Sequence, residues 1–367
     1  MTIAEVAKQA GVGVATVSRV LNGSPAVRER TRLRVLDAIE ELGYAPNAAA
    51  RALSTGRSLA VAVVAPFFTR PSVMERLRGV SRVLAGAGYQ LVLFDVERPG
   101  EEEEYFRRLS GGGGLDALLS ISLCPPEGDL ERFAQAGVPV VLVDHPHPSI
   151  AAVSTDDEAG GRLATEHLLE LGHRRIAFLG DFEHNYYGFT SSARRRSGYE
   201  AALADAGIEA DPSLLLRGPH GQAAAAALTG EALDRPDPPT AVFAASDTQA
   251  VGALEAAEAL GARVPGDLSV VGYDDIELAR HAGLTTVAQP LEESGACGAE
   301  MLLNALEGRR IHGRQLPIRL VVRHTTGACG KNRGRAARHQ EAWGTDRPRQ
   351  SRQDGMRVRF VTQPISD

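Results

Sequence analysis

Cysteine is scarce: Cys124, Cys297 and Cys329 are three in 367 residues, odd in number and far apart. That excludes a disulfide framework and offers no CxxC pair to a metal, and it suits a reducing compartment with each thiol buried or idle. Aromatic residues make up only 5% of the chain against 43% hydrophobic residues overall, the balance of a soluble globular protein. No run approaches the roughly 18 apolar residues of a membrane span. The N-terminus lacks the charged, apolar, small-residue order of a signal peptide, so a cytoplasmic protein without membrane partners is expected. Excess positive charge is missing too. A net charge of −6 rules out a chain coated in basic surface and confines any nucleic-acid binding to a local patch.

Catalytic signatures are equally thin. No serine, histidine and acid arrangement with a nucleophile elbow is present, so hydrolysis has no support and no enzyme is expected. The glycine run Gly111 to Gly114 does not follow a strand and open a helix with G-x-G-x-x-G spacing, and it reads as a loop. His145 and His147 flank Pro146 beside Asp144, but without further ligands they read as loop surface. No metal and no cofactor are expected.

What is present begins with Ala4 to Gly23, AEVAKQAGVGVATVSRVLNG. Val6, Ala7 and Ala10 fit one face of a helix, and Val17, Val20 and Leu21 fit a second at i, i+3, i+4 spacing. Gly11 between them supplies a turn at positive φ, and Val12 plugs the gap beneath. This is a helix-turn-helix layout, with an ordinary helical hairpin as its alternative. The outer face of the second helix carries Ala15, Ser18, Arg19 and Asn22, small or hydrogen-bonding groups able to approach nucleic acid closely. A third helix is expected over Thr31 to Leu42, with Leu33, Leu36, Ile39 and Leu42 or their neighbours on its buried stripe and Gly43 as its stop. Pro46 forces Ala45 out of the helical region, and Asn47 can cap the short segment that follows. That segment, ending at Gly56, is below the roughly 12 residues at which isolated helices hold in water, so it needs DNA and a partner copy to form.

The stretches GVGVATVSRVLNG, GYAPNAAARALSTG, GHRRIAFLG and VVGYDDIELA resemble the LacI/GalR family of bacterial transcriptional regulators, a likeness running from about Thr2 to Gly327. The resemblance implies that Val14 and Ala15 meet base edges in the major groove and that Arg19 reads a base. It implies that Thr16, Ser18, Asn22 and Thr31 hold phosphates, while Leu53 wedges into the minor groove and kinks the DNA. The chain departs from the family's usual serines at Gly13 and Arg28, which removes a side-chain cap from a helix start.

From Ser58 onward, short β-branched runs alternate with helical segments. Strands are expected at Leu59 to Ala65, Gln90 to Phe94, Ala117 to Ile121, Pro139 to Val143, Arg175 to Leu179, Thr240 to Ala244 and Leu268 to Gly272. Helices are expected at Ser72 to Ala87, Glu158 to Leu171 and Asp247 to Leu260. The pattern is that of parallel sheets covered on both faces. The run is too long for one sheet and divides near Ala152 to Asp157. The fold expected is therefore an all-α helix-turn-helix head followed by two doubly wound parallel-sheet lobes like those of periplasmic binding proteins. Its parts are a DNA-binding head at 1–46, a hinge helix and linker at 47–57, a two-lobed effector-binding and dimerisation domain at 58–327, and a polar, arginine-rich tail at 328–367 expected to be disordered.

Ligands of such sheets lie beyond the carboxyl ends of the strands, so Ser72, Val73, Asp144, Arg195, Ser246 and Asp274 are the candidate effector contacts. A carboxylate that accepts two hydrogen bonds and an arginine that donates two suit the vicinal hydroxyls of a sugar. By resemblance, Arg195 matches the family's effector arginine and Asp274 the first aspartate of its GYDD motif. Bland alternatives are a loop brace for Asp274 and a solvated charge for Arg195 within Arg194-Arg195-Arg196. Ser246 stands where many members carry asparagine, and Arg70-Pro71-Ser72 replaces Asn-Pro-Phe. The function expected is a sequence-specific DNA-binding regulator, a homodimeric repressor of a near-palindromic operator, controlled by a sugar or sugar derivative. The rivals are a solute-binding protein of a transport system and a doubly wound hydrolase.

Overall fold

Thr2 starts the chain's first helix by a reciprocal cap: its hydroxyl accepts from the Glu5 N–H at 3.4 Å, and the Glu5 carboxylate accepts from the Thr2 N–H at 2.7 Å. The computed structural model describes residues 1–21, 24–44, 57–112, 114–182 and 186–330. Helix α1 (Ile3–Ala10) ends at Gly11, whose φ of 60° lets its own N–H and that of Val12 turn back onto the Lys8 and Ala7 carbonyls. Helices α2 (Val14–Leu21) and α3 (Glu29–Leu42) complete the head around Val6, Ala7, Ala10, Val17, Val20, Val35 and Ala38.

The inner stripe of α3 holds Ile39 and Leu42 against the head's core as expected, but Val35 and Ala38 take the places expected for Leu33 and Leu36. Val35 and Ala38 are buried, whereas Leu33 and Leu36 are 51% and 46% exposed. Small residues at the contact let α3 lie close to α1, with Gln9 donating to Glu41 at 2.9 Å and Arg34 to the Ala10 carbonyl, and the leucines fall outside that narrow seam. Arg28 precedes α3 without a side-chain cap, as the loss of serine there implies. Asn22, Leu53, residues 45–56, which include all of the 47–57 hinge but its last residue, and the tail from 331 onward lie outside the described residues.

The body runs β1 (Ala60–Pro66), α4 (Pro71–Gly86), β2 (Gln90–Val96), α5 (Glu101–Ser110), β3 (Ala117–Ile121), α6 (Glu127–Gln135), β4 (Val140–Val143) and β5 (Ala152–Ser154). It continues through α7 (Asp157–Glu170), β6 (Ile176–Asp181), α8 (Ser191–Asp205), β7 (Leu215–Gly218), α9 (Gln222–Leu233), β8 (Ala241–Ala244), α10 (Asp247–Ala259) and β9 (Ser269–Asp274). The last elements are α11 (Glu277–His281), β10 (Thr285–Ala288), α12 (Leu291–Leu306), β11 (Arg314–Gln315) and β12 (Arg319–Val321). Two sheets form, in the orders β11-β5-β4-β3-β1-β2 and β12-β10-β9-β8-β6-β7. Every ladder is parallel except β10 against β12. Strands β3, β8 and β9 are buried at every residue, because helices cover both faces.

All seven expected strands form, with no end shifted by more than two residues. The division after β5 is the first of three crossings between lobes. After β10 the chain returns to the first lobe, where α12 packs on α4 and contributes Ala299 and Leu302 to that lobe's core. It crosses again between β11 and β12. Glycines allow the closest helix contacts. A Cβ on Gly161 of α7 would sit 2.0 Å from the Arg195 carbonyl oxygen of α8, and one on Gly295 of α12 would sit 1.9 Å from the Arg76 carbonyl oxygen of α4.

Candidate functional site

The last residues of the central strands turn out of their sheets into the crevice between the lobes. Asp144, after β4, has φ 66°; Asp274, ending β9, has φ 120°. Such conformations are uncommon outside glycine, are best tolerated by short polar residues such as aspartate, and cluster at ligand sites. Both aspartates line a cavity in the crevice between the lobes. Ser72, Val73, Asp144, Arg195, Ser246 and Asp274, all six candidates, line it.

Arg195 is buried rather than solvated. Its Nε donates to Asp157 Oδ1 at 2.8 Å and its Nη1 to the Ala245 carbonyl at 2.6 Å. The guanidinium lies 3.7 Å from the Tyr273 ring centre and 3.9 Å from Asp274 Oδ1. Burial alone would lower its pKa, but Asp157, Tyr273 and Asp274 raise it above the ordinary arginine value. Burial in turn pushes the Asp157 and Asp274 carboxyls above the usual carboxylate range, with Arg195 opposing. Asp274 also accepts from Gln289 Nε2 at 2.6 Å.

The first lobe contributes a second buried pair. Arg76 Nη2 donates to Asp144 Oδ1 at 2.7 Å, and Ser122 Oγ donates to Oδ2 at 2.8 Å. Gln289, in the β10–α12 crossing, joins the two pairs: its Oε1 accepts from Arg76 at 3.3 Å and from Thr155 of the first crossing at 3.2 Å. A third carboxylate, Asp181 at the end of β6, accepts from His220 Nδ1 and Gln249 Nε2, both at 3.1 Å. Burial pushes Asp181 up, but the His220 hydrogen bond and the charges of His220, Arg70 and Arg195 outweigh it and hold the carboxyl below its usual value. Ser246 caps α10, accepting from the Gln249 N–H at 3.3 Å. At the rim Tyr187 stands edge-on to Phe67 at 5.3 Å, stacks on Phe189 at 5.2 Å, and donates to the Glu97 carbonyl at 2.9 Å.

Sequence reasoning missed Asp157, Arg76, Gln289, Asp181 and His220. Asp157 carried a signal only as part of the Asp156-Asp157-Glu158 helix start, and Asp156 supplies that cap by accepting from the Ala159 N–H at 3.0 Å. Among the described residues no group of three His, Cys, Asp or Glu side chains comes together as a metal site, and no helix is long and apolar enough to cross a membrane.

In the head, Val17 and Val20 of α2 face the core while Val14, Ala15 and Arg19 are exposed on the opposite side and Thr16 and Ser18 are half-buried. Thr31, in the first turn of α3, is half-buried. A helix whose exposed face carries a small residue and a guanidinium can approach the base edges of a major groove closely.

Residues 2–47 match the bacterial regulatory proteins, lacI family, and residues 165–326 match the periplasmic binding protein-like domain. The chain is similar to the HTH-type transcriptional regulator CelR of Thermobifida fusca, 39% identical over 88% of this chain and 95% of that protein. It is similar to the HTH-type transcriptional regulator DegA of Bacillus subtilis (strain 168), 34% identical over 89% of this chain and 98% of that protein. Among solved structures, a CelR–cellobiose complex matches with TM-score 0.65 and 36% identity over 89% of this chain and 99% of its own. The lac repressor dimer bound to operator and the anti-inducer ONPF matches with TM-score 0.78 and 29% identity over the same shares, 89% and 99%.

Proposed function

The chain belongs to the lacI family of bacterial regulatory proteins, a DNA-binding transcriptional regulator with a helix-turn-helix head, and from that premise we propose that its effector is an uncharged sugar held between the lobes by Asp144, Arg195, Ser246 and Asp274, flanked by Ser72 and Val73. One observation carries the choice of an uncharged ligand. Each buried guanidinium at the cavity already faces carboxylates, Arg76 with Asp144 and Arg195 with Asp157 and Asp274. An anionic ligand would meet two buried guanidiniums that are already neutralised and the lining carboxylates of Asp144, Asp181 and Asp274, which repel it, with the half-buried Arg70 beside them. A neutral polyol instead finds carboxylate acceptors and guanidinium donors, the hydrogen bonds of greatest strength. That the similar CelR was solved with cellobiose supports the same class.

The head docks by α2: Val14 and Ala15 against base edges, Arg19 reading a base, and Thr16, Ser18, Asn22 and Thr31 on phosphates, with Leu53 at the dyad. Two copies in a homodimer read a near-palindromic site. The match of residues 2–47 to the family's head disfavours the transport reading. The protein acts in the cytoplasm as a binding protein rather than an enzyme. Sugar in the cleft favours one lobe arrangement, alters the spacing of the two hinge segments and releases operator. Such coupling requires only that the sugar bind one arrangement better than the other.

A thermal-shift series with cellobiose, glucose, ribose, glucuronate and glucose 6-phosphate tests the ligand class. An uncharged sugar raises the melting temperature as its concentration passes its dissociation constant. Stabilisation by the charged sugars alone contradicts the reading.

A further inference from the structure

Loops that follow equivalent strands of the two lobes meet at the rim of the cavity. Strands β1 and β6 each hold the fifth place in their sheets, and the chain runs on into α4 through residues 67–70 and into α8 through residues 186–190. Tyr187 and Phe189 of the second lobe pack on the first lobe's core around Val64, Val96 and Phe106. Tyr187 stands edge-on to Phe67, and its hydroxyl donates to the carbonyl of Glu97, the residue after β2. Arg70 lies over the Phe67 ring at 4.1 Å and in the field of Asp181, across the crevice at the end of β6. None of these residues belongs to a crossing, and none is among the six effector candidates.

Phe67 holds its ring at this contact with φ 46°, a backbone conformation that is an outlier for a bulky residue and persists only where surrounding contacts fix it. The cavity behind the rim encloses about 80 Å³, against roughly 300–1,000 Å³ for ordinary ligand pockets. A sugar therefore enters only when the lobes part, and the rim contacts break as they do.

We propose that Tyr187, seated against Phe67, Phe189 and the Glu97 carbonyl, is a latch that holds the lobes together at the rim and sets the fraction of the protein open to its effector. The latch touches neither the effector contacts nor the DNA-binding head, so it acts on the equilibrium between arrangements alone. The apparent affinity of a ligand is its intrinsic affinity scaled by the fraction of protein able to receive it. Each interaction removed from the latch raises that fraction, so a weaker latch gives a faster and tighter grip on the ligand.

Amide hydrogen exchange of the full chain, with no sugar added, compares wild type with Y187F, which loses only the hydroxyl, and Y187A, which loses the ring as well. The cavity-lining segments 72–76 and 245–249 exchange roughly 2- to 10-fold faster in Y187F, the range for one neutral hydrogen bond, and faster still in Y187A. The buried strand β3 keeps its wild-type rate, which separates unlatching from general loosening. Unchanged exchange at the lining segments of both variants overturns the latch, as does equal acceleration throughout the chain. A second readout rests on the sugar reading above: the association rate and affinity for cellobiose, glucose or ribose rise in the variants by the same factor as the exchange. A sugar that binds wild type and both variants alike overturns the latch and leaves the sugar reading standing. Faster exchange at the lining segments with none of the three sugars bound by any of the proteins keeps the latch and removes the sugar reading.

Discussion

Arg195 on α8 and Asp157 at the start of α7 meet at 2.8 Å, joining a cavity-lining arginine of the second lobe to the segment by which the chain enters that lobe. The side chains are 7% and 10% exposed, so the contact is a desolvated ion pair rather than a surface one. The pair therefore ties the cavity wall directly to the crossing between lobes.

Arg195→Met leaves Asp157 and Asp274 buried without a counter-charge, at a cost of about 3–5 kcal/mol. Adding Asp157→Asn restores part of that loss, because one of the orphaned carboxylates is gone. Urea unfolding of the single and double variants measures both. Equal stability in the two would show that Asp157 does not depend on Arg195.

Gly161→Ala places a methyl group 2.0 Å from the Arg195 carbonyl oxygen and forces α7 and α8 apart. Overpacking of this kind costs about 1–3 kcal/mol. The melting temperature should fall, and the stabilisation given by a bound sugar should shrink as Arg195 is displaced. A variant that melts and responds like wild type would mean that the close crossing does not position Arg195.

Asp247 accepts from Thr286 Oγ1 at 2.6 Å and from the Ile276 N–H at 3.0 Å, and burial pushes its carboxyl well above its ordinary value. A raised carboxyl holds its proton more tightly in the folded chain than in the unfolded one. Its contribution is complete below the unfolded value, about 3.9, and is lost as pH rises through the folded value. Wild type should therefore lose stability relative to Asp247→Asn as pH rises through that window. Urea midpoints for the two proteins across the acidic to neutral range check the sign, and a difference moving in favour of wild type contradicts it.

Much of this was legible in the sequence. The head's core followed from 3.6-residue spacing, Gly11 from the need for a turn at positive φ, and the two lobes from β-branched runs alternating with helices. The cavity-lining aspartates Asp144 and Asp274 followed from strand ends, Asp274 with the support of the GYDD resemblance. Arg76 did not, because within Met74-Glu75-Arg76-Leu77-Arg78 it reads as one charge among several on a solvated face. Only the return of α12 from more than 200 positions later buries it, and no local pattern encodes that return. Strands β5, β11 and β12, of two or three residues, are too short to carry a period. Gln289 carried no sequence signal, because its place is set by the two crossings it stitches together.

Arg19→Ala should cost about 1–3 kcal/mol on the preferred operator and relax the preference at the base it reads. A selection from random duplexes with wild type and variant shows where preference is lost. A uniform weakening on every duplex would assign Arg19 to phosphate alone.

Fluorescence anisotropy of the full-length chain on a near-palindromic duplex selected from a random pool, with and without saturating sugar identified by thermal shift, tests the central claim. The account predicts tight binding to the selected duplex, weak binding to a scrambled one, and release of the selected duplex when sugar is added. Equal affinity for both duplexes, or operator binding untouched by a sugar that the protein demonstrably holds, would contradict it.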